Sequence, residues 1–370
     1  MPAIRRGPLT DLRIVEFAGL GAAPFCSMLL AELGADVVRV DRPGAAAPNA
    51  YSLISRSRRS ITLDLKTSGD TQIALSLIER ADALTESFRP GVMERLGLGP
   101  EVALARHPRL VYGRLSGWGQ NGPLAQAAGH DINYTALSGA LHAIGAPERP
   151  SIPLNLISDL GGGALYLAMG VLAGVLHARS SGEGQVVDCA MSDGAASLMT
   201  MYYGAVAAGE WNDQRLSNRL DGGAYFYSTY ECADGLWIAL GPLEPQFYAR
   251  LLTLLGLKSR DDWDDPDEPR SWAARRARLG NLIRQRPRNE WIALLEGTDA
   301  CFAPVLSLKD APHHPHHRAR DTFVSAFGIT QPAPAPRFSK TPGAIQSAPP
   351  QPGEHAREIL QEWNIRTSGT

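Results

Sequence analysis

The chain has 370 residues, of which 44% are hydrophobic and 20% charged, with a formal net charge of −2. This is the composition of an ordinary soluble globular protein long enough for two domains. A charge so near zero gives no reason to expect nucleic acid as a partner. The four cysteines, Cys26, Cys189, Cys232 and Cys301, are far apart and form no C-x-x-C pair. That usage disfavours a disulfide framework or a structural zinc site and fits a reducing compartment.

Met1 to Thr10 carries Arg5, Arg6 and Pro8 but no apolar segment, so no signal peptide is expected. The longest apolar stretch, Ala164 to Leu176, is shorter than the about 20 residues a bilayer span needs. Ser368-Gly369-Thr370 is not a peroxisomal address. A cytoplasmic protein without a membrane partner is the expectation.

In chain order, Leu12 to Phe17 reads as a strand, Gly19-Leu20-Gly21 as a turn, and Phe25 to Leu33 as a helix ended by Gly34. Asp36 to Val40 is the next strand. This unit predicts a parallel α/β sheet. Gly19-x-Gly21-x-x-Pro24, with Asp41 downstream, half-matches a dinucleotide fingerprint, but Pro24 replaces the glycine that lets helix and strand pack closely. We read the unit as a Rossmann-like scaffold.

Arg56, Arg58 and Arg59 precede a strand-like run from Ser60 to Lys66. Glu79 to Phe88 reads as a helix end and a strand, and Val92 to Leu98 as a short helix after Arg89-Pro90-Gly91. Arginines grip phosphates through two parallel hydrogen bonds, and open α/β sheets bind ligands at the carboxyl ends of their strands, which singles out Arg42, Arg89 and Arg95. Leu110 to Tyr112 is a further strand. Gly117 to Pro123 is a tight loop suited to close backbone approach.

Leu165 to Ala178 reads as a buried helix, Gln185 to Asp188 as a strand, and 191 to 215 as a helical connection. Ala224 to Tyr230 and Leu236 to Leu240 alternate like paired strands around Asp234-Gly235. Helices are expected from Gln246 to Leu257, from Ala273 to Arg284 and near Trp291. The acidic run Asp261 to Glu268 reads as a solvated loop. His313, His314, His316 and His317 lack the carboxylate or thiolate company of a metal site, and we read them as a solvated helix entrance. Gln331 to Pro352 is proline-rich and is expected to lie as an extended tail on the first domain. The expected division is 1–190 for a large domain, 191–220 for a linker, 221–310 for a small domain and 311–370 for a C-terminal segment.

Two stretches carry the chemistry: Gly129-His130-Asp131-Ile132-Asn133-Tyr134, and Asn155 to Gly163 with Asp159 before three glycines. An imidazole can hold or release a proton near neutral pH. Asp159 reads either as a helix cap or as an acid–base group. The bare Gly161-Gly162-Gly163 start would leave amides open to developing negative charge such as an enolate. Together these suggest proton transfer beside a carbonyl. A serine hydrolase is disfavoured, because no G-x-S-x-G elbow is present.

On these residues the chain resembles the family III CoA-transferase superfamily, and within it the α-methylacyl-CoA racemases. The runs that carry the resemblance are Val40 to Gly44, Arg58 to Lys66, Phe88 to Gly97, Gly129 to Tyr134, Asp159 to Gly163, Leu243 to Phe247, Pro304-Val305 and Pro336 to Ser339. The resemblance implies an α/β fold: a Rossmann-like large domain completed by the C-terminal segment, a smaller α+β domain, and an interlocked homodimer with its active site at the subunit interface. It further implies a racemase that interconverts 2-methylacyl-CoA epimers through an enolate, in fatty acid and lipid metabolism. His130 and Asp159 would be the two bases, with Asp131 in the catalytic group and Glu244 supporting the histidine across the interface. Arg42, Leu63, Asp64, Leu65, Lys66, Ser87, Phe88, Arg89, Arg95, Gly129, Ile132, Asn133 and Tyr134 would hold the acyl-CoA substrate. Neither metal nor cofactor is implied, CoA being part of the substrate.

A family III CoA-transferase, with Asp159 as nucleophile, is the alternative. A CoA-binding module without catalysis would need neither His130 nor Asp159. Ala224 to Ser228, with Tyr225 where a proline is common, and Leu160, where phenylalanine is frequent, depart from the racemase pattern. Both departures are expected along the acyl path.

Overall fold

Short β-branched runs alternating with helices build six parallel strands in the computed structural model, which describes residues 5–257 and 263–366. The strands are β1 (Arg13–Phe17), β2 (Asp36–Asp41), β3 (Arg59–Thr62), β4 (Ala83–Glu86), β5 (Val111–Ser116) and β6 (Gln185–Ala190). The spatial order is β3-β2-β1-β4-β5-β6, the doubly wound order of a Rossmann-like sheet. The signal-peptide expectation partly concerns residues 1–4, and the peroxisomal one residues 368–370. Those residues, with Asp261 and Asp262 of the acidic run, lie outside the described residues.

The strands are apolar on both faces, as a sheet covered on two sides requires. Val15, Phe17, Val38 and Val40 face one layer, packed with α2 (Ser68–Ile78) and with Ile359 and Trp363. Ile14, Val37 and Val111 face the other layer, with α1 (Ala22–Glu32) and the long helix α4 (Tyr166–Ser181). The C-terminal helix Ala356–Glu362 covers the β3 edge, where the His355 N–H donates to Ser60 O and the Trp363 indole donates to Asp36. The proline-rich tail runs along this unit: Ala344 N–H donates to Glu32 O and Ser57 N–H to Ser347 O.

Ion pairs, several of them buried, tie the elements together. Arg58 pairs with Glu16, Arg56 with Glu32, Arg59 with Asp36 and Glu362, and Arg114 with Glu86 and Glu94, while Arg56 also donates to Gln331 Oε1. Arg56, Arg58 and Arg59 are therefore structural residues.

Two compact units divide the chain. The first takes in residues up to 139, 153–199 and from 321 onward; the second comprises 140–152 and 200–320. This differs from the expected boundaries. No separate linker spans 191–220, since α5 (Met191–Leu198) packs within the first unit. Residues 140–152 join the second unit because the Arg215 guanidinium donates to the carbonyls of His142, Ala146 and Pro147. The C-terminal return begins at 321, so the histidine group lies in the second unit.

That unit holds the antiparallel strands β7 (Ser228–Glu231), β8 (Trp237–Leu240) and β9 (Phe302–Pro304). They pack on α6 (Pro245–Leu254), α7 (Pro269–Ile283) and α8 (Arg288–Leu295) through a core rich in Tyr and Trp.

Leu156 to Ser181 forms one continuous helical segment of 26 residues, the one among the described residues long and apolar enough to cross a membrane. It exceeds the stretch expected because the glycine-rich lead-in is helical too. Its Leu167, Val171, Val175 and Ala178 are buried in the sheet's core, as in a core helix of a globular fold.

Candidate active site

In an open doubly wound sheet the ligand crevice lies outside the carboxyl ends of the strands, where the order reverses. Here that point falls between β1 and β4. A Cβ on Gly19, just after β1, would lie 2.1 Å from Ser87 Oγ, just after β4. Glycine lets those two loops close on each other. Gly21, at φ 69°, places its backbone beside Asp159: a Cβ there would be 3.7 Å from Asp159 Oδ2.

Beside this point opens a cavity of about 540 Å³. Arg42, Leu63, Asp64, Leu65, Lys66 and Phe88 line it over an apolar floor of Phe17, Val40 and Leu96. The structure thus brings six of the sequence-named binding residues into one cleft. Arg42 and Lys66 are exposed and in no ion pair among the described residues. Asp64 shapes the turn, accepting from Lys66 N–H at 3.1 Å. Ser87 sits at the strand end, and exposed Arg89 follows it. Arg95 is exposed on the helix Val92–Arg95 and does not line the cavity.

His130 caps α3 (Asp131–Leu137) and is exposed. Asn133 secures this cap, with its Oδ1 accepting from His130 N–H at 3.0 Å. Ile132 is 37% exposed. Tyr134 is buried with its ring edge-on to Trp118, centroids 4.7 Å apart. Gly117 and Gly129 make room for that ring, since a Cβ would come within 2.2 Å and 2.8 Å of it respectively. Burial pushes the Tyr134 hydroxyl above its ordinary pKa; the charge of Asp159 adds to the rise and Arg89 opposes it.

Asp159 is half-buried, with Asn155 Nδ2 donating to its Oδ2 at 3.2 Å. Burial raises its pKa above the usual carboxylate value. The Asn155 hydrogen bond opposes the rise, the Asp131 charge adds to it, and the neighbouring His130 lowers it. The segment bearing His130 meets this one through the next residue, Asp131, whose Oδ2 accepts from Asp159 N–H.

Both sequence readings of the glycine-rich start need correction. Asp159 is not the cap, because the helix begins at Leu156 in wide π-type turns after Asn155. Gly161 to Gly163 are not a helix start with open amides either, since they lie within the helical run Leu156–Leu165; in its first turn the Ser158 and Asp159 amides both donate to Asp131 Oδ2 at 2.8 Å. The glycines serve packing instead. A Cβ on Gly162 would lie 2.5 Å from Ala195 N, and one on Gly194 would lie 1.9 Å from Gly162 O. Asp131, grouped with the catalytic residues from sequence, is 4% exposed and its other oxygen accepts from Thr135 Oγ1 at 3.1 Å. Thr135 was missed, and Asn155 and Ser158 were named only as part of a stretch, without a role. No spacing rule joins 131 to 158 across the intervening excursion into the second unit.

In that second unit Glu244 is exposed at the start of α6, with its carbonyl accepting from Phe247 and Tyr248 N–H. An apolar cavity of about 1160 Å³ there is lined by Tyr227, Ser228, Trp237, Leu240, Cys301 and Phe302, among others. Tyr225 does not line it. Its side chain is buried in the core and its hydroxyl bonds to that of Tyr248, whereas Tyr227 and Ser228 of the same run do line the cavity. In the histidine group, His314 meets Glu296 at 2.8 Å and His317 Nδ1 meets Ala311 O at 2.8 Å.

Residues 9–356 match CoA-transferase family III, and the chain belongs to that family. It is 44% identical to a mouse α-methylacyl-CoA racemase over 96% of this chain and 93% of the relative. The human α-methylacyl-CoA racemase is 43% identical over 96% and 94%. A succinyl-CoA–D-citramalate CoA-transferase of Chloroflexus aurantiacus is 28% identical over 96% and 94%. Among solved structures, a CAIB/BAIF family protein from Brucella suis superposes with a TM-score of 0.82 at 24% identity, covering 97% of this chain and 100% of that one. This last likeness supports the central parallel sheet and α/β fold.

Proposed function

We propose that this family III protein is an α-methylacyl-CoA racemase-like isomerase that interconverts 2-methylacyl-CoA epimers by 1,1-proton transfer. The observation that carries the reading is the link between the two base-bearing segments: Asp131, next to His130, accepts from Asp159 N–H at 2.8 Å. Inversion at an α-carbon needs one base on each face, and this pair supplies two. A thioester carbonyl makes the α-proton acidic enough for such groups to remove. The Asn133 and Tyr134 amides are taken by the His130 carbonyl, which leaves those of Asp131 and Ile132 at the start of α3 for the enolate oxygen. Arg42 and Lys66 at the lip of the cleft, with Arg89 and Arg95, take the CoA phosphates, while Leu63, Leu65 and Phe88 bed its apolar part.

The same reading uses no cofactor and places the enzyme in the cytoplasm as an interlocked homodimer. Glu244 of one subunit would then support His130 of the other. The alternative, attack of Asp159 on the thioester as in a CoA-transferase, is favoured by no feature of His130.

The test is exchange of the α-hydrogen in D₂O with epimer interconversion. His130→Ala should abolish epimerisation and spare CoA binding. Absence of exchange, with CoA passing to a free carboxylic acid and a hydroxylamine-sensitive Asp159 thioester, would hand the protein to the transferases.

A further inference from the structure

The two segments bearing His130 and Asp159 are joined by a buried polar bridge. Asp131 directly follows His130. Its Oδ2 accepts from Ser158 N–H and Asp159 N–H, both at 2.8 Å, while Oδ1 accepts from Thr135 Oγ1 at 3.1 Å. Thr135 Oγ1 and Ser158 Oγ are 2.6 Å apart. With Thr135 donating to Asp131, Ser158 must donate to Thr135, so the bridge closes without an unsatisfied group. Thr135 and Ser158 are fully buried.

We propose that Asp131 is a positioning residue that holds Asp159 in register with His130 and neutralises the positive end of the helix on which Asp159 rides. This rests on the racemase reading above. The long helix from Leu156 would, through its dipole and free amides, favour an ionised Asp159 in its opening turns. Asp131 occupies those amides with a full negative charge. Asp159 is thereby left able to take up and release a proton, with Asn155 and the charge of His130 as the other influences on it. Charged–amide hydrogen bonds are also about twice as strong as neutral ones, which keeps the two segments from sliding apart.

The experiment follows α-hydrogen exchange in D₂O from each epimer of a 2-methylacyl-CoA separately. The epimer served by Asp159 is identified as the one whose exchange Asp159→Asn loses. Asp131→Ala should cut exchange from that epimer about 10²-fold, the scale of a misplaced catalytic group. Exchange from the other epimer and both KM values should stay within a few-fold. Asp131→Asn keeps the shape, can still accept the two amides and donate to Thr135, and removes only the charge. Because a neighbouring anion disfavours ionisation of Asp159, losing it should move the acid limb of the pH–rate profile to lower pH.

Equal loss for both epimers in Asp131→Ala, or an acid limb unmoved in Asp131→Asn, overturns the proposal while leaving the racemase reading intact. Wild-type protein that exchanges neither epimer overturns that reading and the proposal with it.

Discussion

Two sets of arginines stand within one sheet and have opposite fates. Arg56, Arg58 and Arg59 lie before and at the start of β3, and each meets a carboxylate supplied by another element: Glu32 from α1, Glu16 from β1 and Asp36 from β2. Arg42 and Arg89 lie beyond the carboxyl ends of β2 and β4, exposed and in no ion pair among the described residues. The difference teaches that an arginine's role here depends on which end of a strand it occupies. Along the strands, acidic side chains consume the charge; past their carboxyl ends it is left for a ligand.

The comparison breaks most decisively at Arg58. Replacing it by alanine leaves Glu16 buried without its partner, and loss of one member of a buried pair costs about 3–5 kcal/mol. Urea unfolding should show that deficit at neutral pH. Burial already raises the Glu16 pKa against the pull of Arg58. Without Arg58 the folded-state pKa rises further, so the folded protein binds the proton more readily and the deficit should narrow as the pH is lowered through that value. A deficit constant with pH would remove Glu16 from the explanation.

Arg42→Ala and Arg89→Ala should behave the other way. Unfolding free energy should change by no more than about 0.5 kcal/mol, as at ordinary surface sites. KM for an acyl-CoA should rise on the order of tenfold, equivalent to about 1.4 kcal/mol of binding. The smallest effect is ionic. Raising salt from about 0.05 to 0.5 M should increase KM through screening of the exposed arginines while barely moving the thermal midpoint, because buried pairs are screened little. A midpoint that falls in step with KM would erase the distinction between the two sets.

Much of this was legible in the residues. The β-branched runs and the glycine turns predicted the parallel sheet, and the motif resemblance named Arg42, Leu63 to Lys66 and Phe88, which the fold gathers in one cleft. What was not legible depended on partners distant in sequence. Arg58 reads like Arg42 until Glu16 is placed against it. The three glycines read as an amide cradle until the middle one, Gly162, is seen packed against Gly194 and Ala195. Asp131 reads as an acid–base group until the Ser158 and Asp159 amides are found on it. In each instance local pattern named the residue type correctly, and only packing revealed what it serves.

The nested course of the chain has a consequence for its synthesis. Asp36 at the head of β2 accepts from the Trp363 indole across 327 positions, so the first unit lacks a piece of its core until residue 363 has left the ribosome. Segment 200–320 emerges earlier and, with 140–152, already holds every residue of its own unit. The inserted unit is therefore free to mature while its host waits, and the unit that contains His130 and Asp159 is completed only afterwards.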